Sequence, residues 1–162
     1  MKRVATAIAL ALVMQNCLAA TEVTKAAQNS GIKSCLEQLR GVSDFVIGKS
    51  DHGTNSVWNT AQPNKRLFET FSVKKYSDAY SQIIMTASPN SAGKCDLSSN
   101  ETMVMRGSCM KIRETTFKDW KYIGSILNTA VIENTNKVSV FLTPQLDDSV
   151  CLVNRQEVSY EK

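Results

Sequence analysis

The chain has 162 residues, 19 of them Lys or Arg against 15 Asp or Glu, and a hydrophobic share of 43% that is ordinary for a globular domain. Without Lys2 and Arg3, which fall in a leader, the basic count drops from 19 to 17 and the net charge to about +2. That is too balanced for a surface built to hold nucleic acid, and the roughly 142 residues after the leader suffice for one domain with its own core, expected over 21–162.

Lys2 and Arg3 precede an apolar run from Val4 to Met14, and Cys17-Leu-Ala-Ala20 closes it on small residues. This is the layout of a secretory signal peptide over 1–20, cut after Ala19 or Ala20 and too short for a membrane span. A lipid anchor on Cys17 would call for a small residue just before it and Leu three before it. Asn16 and Met14 stand there instead, so no anchor is expected. No later stretch is apolar enough to cross a bilayer, and the expected location is periplasmic or secreted.

Cleavage removes Cys17 and leaves Cys35, Cys95, Cys109 and Cys151. An even number in an exported chain reads as two disulfides with three possible connectivities. The expected pairs are Cys95–Cys109, folding a loop back onto its strand, and Cys35–Cys151, pinning a helix to the sheet. No C-x-x-C spacing points to a metal site, and no cofactor is expected.

In chain order, Ile32, Cys35, Leu36 and Leu39 recur at helical spacing within Thr21–Arg40. Asn29-Ser30-Gly31 marks a start or break, and Gly41 is the natural stop. Asp44–Gly48 reads as a short strand. Lys49–Arg66 is polar and reads as a long loop holding Trp58 and Pro63. Leu67–Val73 and Asp78–Ser88 are strands around a turn at Lys74–Ser77, and Pro89–Lys94 is a breaker before Cys95. Glu101–Ile112 reads as a strand. Phe117–Leu127 suits either helix or strand, and its Thr, Tyr and Gly content favours strand. Ala130–Glu133 and Val138–Thr143 lead to the clearest hairpin, which turns at Pro144–Ser149 and returns along Val150–Tyr160. All three prolines fall between these elements. The expected fold class is α+β: an N-terminal helix packed on a curved antiparallel β-sheet or meander of six to eight strands.

Chemistry is sparse. His52 is the only histidine and lies in what reads as a turn, Asp51-His-Gly-Thr-Asn55, which lacks the acidic spacing of a calcium loop. The Ser-x-x-Lys matches at Ser30–Lys33 and Ser72–Lys75 come without their companion elements. No nucleophile elbow, phosphate loop or dinucleotide fingerprint occurs. Asp147-Asp148 suits turn chemistry. Met103, Met105 and Met110 suit packing. Trp58, with Asn55, Asn59 and Asn64 around it and Lys65-Arg66 after it, reads either as an exposed anchor for a partner or a sugar, or as a plug at the end of the sheet. The expectation is a non-catalytic protein-binding domain of the bacterial envelope, of inhibitor, immunity or accessory type, with another envelope or secreted protein as partner. The alternative is a glycan or small-molecule binder using Trp58 and the 49–66 loop.

Overall fold

A computed structural model describes residues 20–161; the expected signal peptide through Ala19, and with it the Cys17 question, lies outside the described residues. Helix α1 (Glu22–Asn29) is capped by Thr21, whose hydroxyl accepts from Thr24 N at 3.3 Å, and it ends at Gly31 with φ +72. Helix α2 spans Leu36–Val46. The strands are β1 (His52–Trp58), β2 (Phe68–Lys75), β3 (Tyr80–Pro89) and β4 (Cys95–Arg106), then, after helix α3 (Cys109–Thr115), β5 (Lys121–Ile126), β6 (Thr129–Glu133), β7 (Ser139–Gln145) and β8 (Val150–Ser159).

All eight strands form one open antiparallel sheet in the order β1-β2-β3-β4-β8-β7-β6-β5. Two four-strand meanders therefore meet along β4 and β8, paired from Leu97–Ser159 to Arg106–Val150. The α+β description holds, with three helices among the described residues where one was expected.

Even-numbered residues of β2 and odd-numbered residues of β3 and β4 share one face. Phe68 lies opposite Ala87 and Ala87 opposite Leu97; Thr70, Met85 and Ser99 form the next row. These side chains are buried together with Val23, Ala27, Leu39, Val46 and Ile47 of the helical segment. Full burial of a side chain such as Leu39, Phe68 or Ile83 contributes about 1.5–3 kcal/mol. A second cluster gathers Cys109 and Ile112 of α3 with Ile132, Val140, Leu142 and Val153.

Several local expectations need correction. Asp44–Gly48 is not a strand, because Leu39, Ser43, Val46 and Ile47 keep the helical period going and are buried. Gly41 lies inside α2, and the left-handed stop falls at Gly48 with φ +58. The expected 49–66 loop holds strand β1 over seven of its residues, poor in β-formers and held by seven register partners on β2. The strand expected over Glu101–Ile112 ends at Arg106; Gly107, with φ +109, breaks it, and Ser108 caps α3 by accepting from Lys111 N at 3.2 Å. Pro89 and Pro144 sit in terminal parts of β3 and β7.

The disulfide pairing also differs. The bonds are Cys35–Cys95 and Cys109–Cys151, not Cys35–Cys151 and Cys95–Cys109. Cys95 opens a strand of 12 residues and Cys109 follows its end. An extended strand of that length holds its ends about 40 Å apart, whereas a disulfide brings Cα atoms within about 7 Å. Each bond instead ties a helix to the sheet within one half of the molecule.

Candidate binding surface

Between the two apolar clusters runs a polar seam. Glu101, only 5% exposed, accepts from Ser81 Oγ at 2.7 Å and Tyr76 Oη at 2.9 Å, with Lys74 Nζ at 3.8 Å. Lys74 Nζ also donates to the Val46 carbonyl at 2.7 Å, closing the end of α2 where a cation is favoured by the helix dipole. Glu101 lies opposite Arg155 on β8, which pairs with Glu157 at 2.8 Å. Every group named here already has a partner, so the seam reads as structure.

The residues expected to form a site around Trp58 have separate duties. Trp58 is half-buried against the first apolar cluster. Asn55 is exposed on the opposite face of β1, since the two are three residues apart in a strand. Asn59 Oδ1 accepts from Ala61 N and Gln62 N at 3.1 and 2.9 Å, which is a local turn. Asn64 Oδ1 accepts from Lys33 N and Ser34 N, and its amide donates to the Gly31 carbonyl at 2.9 Å, fastening this loop to the α1–α2 connection. Lys65 and Arg66 are exposed. His52 is a half-buried strand residue rather than a turn residue. Its Nε2 accepts from Glu22 N at 2.9 Å, which assigns the proton to Nδ1, 2.7 Å from the Ser50 carbonyl. The ring thus satisfies a donor at the start of α1.

A different place stands out. At the end of the second cluster, α3, the β5–β6 tip and the β7–β8 tip enclose a cavity of about 380 Å³. Its walls include Met110, Arg113, Tyr122, Ala130, Leu142 and Pro144. The Arg113 guanidinium lies 5.4 Å from the centroid of the Tyr122 ring, and Tyr122 Oη is hydrogen-bonded to Ser125 Oγ at 2.6 Å. Asp148 Oδ1 accepts from Cys109 N at 2.9 Å, so the second tip is fastened to the start of α3 beside the Cys109–Cys151 bond.

Both tips carry an exposed leucine in the left-handed region. Leu127 has φ +53 and is 97% exposed; Leu146 has φ +48 and is 77% exposed. Asp147 and Asp148 continue the left-handed run with φ +53 and +63. A left-handed conformation costs a residue with a Cβ about 1–2 kcal/mol, which is why Gly or Asn normally fills such positions. Ile126, Ile123 and Met110 extend the apolar exposure around the tips. The sequence signal for this site was faint: Leu127 lay at the end of an ambiguous segment, and Leu146 inside a turn read only for its Pro and Asp.

Among the described residues no three His, Cys, Asp or Glu side chains are grouped to hold a metal ion, and no helix is long and apolar enough to cross a membrane. Fold and surface define a disulfide-tied α+β domain with one open sheet and a cavity framed by apolar loop tips. Comparison with protein-family models, with curated proteins and with solved structures gave no match.

Proposed function

We propose that the chain is an exported, non-catalytic domain that acts by binding another protein, and that its contact surface is the cavity with the Leu127 and Leu146 tips. One observation carries the reading. Two leucines occupy backbone positions that disfavour them, and their side chains return little to the core because they stand in solvent. Exposed apolar side chains grouped beside a pocket are the kind of patch that marks a protein-contact surface. The two disulfides fit an oxidising compartment and brace both the α3 wall and the opposite half of the sheet.

This surface lies away from the 49–66 segment, where Trp58 is taken up by packing, Asn59 and Asn64 by loop hydrogen bonds, and Asn55 faces away from Trp58. A photo-cross-linking residue placed at position 127 or 146 in producing cells tests the proposal. A discrete adduct with one protein from both positions, absent from a control at Lys137, is the expected result. No adduct, or the same smear from all three, would remove the basis for the surface.

A further inference from the structure

We infer that the cavity receives a peptide segment presenting an apolar side chain next to a side-chain carboxylate, the carboxylate meeting Arg113; this rests on the protein-binding reading above. A volume of about 380 Å³ is at the small end of ligand sites, enough for a single large apolar side chain and its neighbours. Met110, Leu142 and Pro144 supply the apolar wall. Arg113 is the only cation lining the cavity, and among the described residues it takes part in no ion pair. Its guanidinium carbon lies over the Tyr122 ring at 5.4 Å, and among the described residues no side-chain hydrogen bond engages its N–H donors, a fork suited to a planar acceptor such as a carboxylate. Lys111, Lys118 and Lys121 are exposed on α3, the following turn and the start of β5, against the exposed carboxylates Glu114 and Asp119, so the ground around Arg113 stays on balance positive.

Two acidic groups at the β7–β8 tip limit where the carboxylate can go. Asp148 lines the cavity on the side of the β7–β8 tip and is engaged with Cys109 N, and Asp147 precedes it. The incoming carboxylate is therefore directed away from that tip, towards α3 and Arg113, while the apolar side chain enters between the walls. The same two aspartates argue against a lipid surface as occupant. They adjoin Leu146, and inserting this tip would bring them against anionic headgroups.

The test is selection of a displayed random peptide library on the oxidised mature chain, followed by fluorescence polarisation with the recovered peptides. Enrichment of Leu, Ile, Phe or Met beside Asp or Glu is expected. Arg113→Met should weaken those peptides by about tenfold or more, the loss for a hydrogen bond to a charged group. Replacing the peptide's acid by its amide should give a similar loss that does not add to that of Arg113→Met. Urea unfolding of each variant, matched to the parent, shows that the cavity is intact. Peptides that lack an acid, or that ignore Arg113→Met but are lost in Leu127→Asp, would overturn the acidic preference and leave the surface standing. Peptides indifferent to both variants would overturn both. Preferential binding to phosphatidylglycerol vesicles would overturn the peptide in favour of lipid.

Discussion

Lys74→Met probes the buried ion pair that ties β2 and the end of α2 to β4. The Lys74 and Glu101 side chains are 11% and 7% exposed, with 3.8 Å between Nζ and Oε1. At an effective dielectric of 20, that separation corresponds to a gross attraction of about 4 kcal/mol, much of it offset by desolvating both groups. Removing one member of a buried pair typically costs about 3–5 kcal/mol because the other charge is stranded. Here Glu101 keeps the Tyr76 and Ser81 hydroxyls, which lowers the expected cost, while loss of the Lys74 bond to the Val46 carbonyl raises it. The result should be a loss of about 2–3 kcal/mol, read as a lower urea midpoint at unchanged slope. Glu101→Gln keeps an acceptor for Ser81 and should cost less. In the double variant no charge is stranded, so the costs should fall short of their sum by about 1 kcal/mol or more. Additive single effects, each below about 0.5 kcal/mol, would refute the idea that these charges tie β2 and α2 to β4.

Non-reducing peptide mapping should recover Cys35–Cys95 and Cys109–Cys151, and removing either bond as a Cys→Ala pair should cost about 4 kcal/mol, since they close similar separations of 60 and 42 residues; a Cys95–Cys109 peptide would contradict the strand between them. Thr70 is fully buried with no hydrogen-bond partner for its hydroxyl among the described residues, so Thr70→Val should stabilise by about 1 kcal/mol in urea titration. The Glu161 carboxyl is held below its ordinary range chiefly by the Cys95 N–H and also by Gln38. A carboxyl lowered in the folded state adds stability above its unfolded pKa, and that contribution disappears as pH falls through the folded value. Glu161→Gln should therefore lower stability at neutral pH and flatten its decline on acidification; an unchanged acid limb would contradict the tie between the C-terminal segment and β4.

Where apolar residues recur in a strong local pattern, the elements were legible. The final hairpin, with Val150-Cys-Leu-Val in its return strand, needed only its own alternation and turn, and it appears as β7 and β8. Where a neighbour decides, local reading fell short. The β1 residues Gly53, Thr54, Asn55 and Ser56 have little strand preference, and their conformation comes from pairing with β2. Phe45-Val-Ile looks like a strand, but Val46 and Ile47 lie one turn on from Ser43 and complete a helical face against the sheet. Phe117–Leu127 resolves into a turn with Phe117 and Trp120 edge to face at 5.3 Å, followed by β5, so the favoured strand reading holds over Lys121–Ile126 and the helical one does not. The candidate site was the least legible part, because a cavity between three elements and a positive φ at a leucine are properties of the assembled backbone.

Leu127 and Leu146 have a role in binding only if the fold can do without them, and an equilibrium unfolding measurement on Leu127→Asn with Leu146→Asn tests this without any partner in hand. Asn tolerates the left-handed conformation better than Leu, so the double variant should equal or exceed the parent by about 1 kcal/mol. A loss of about 1 kcal/mol or more would mean that the two leucines serve packing, and would contradict the surface assigned to them.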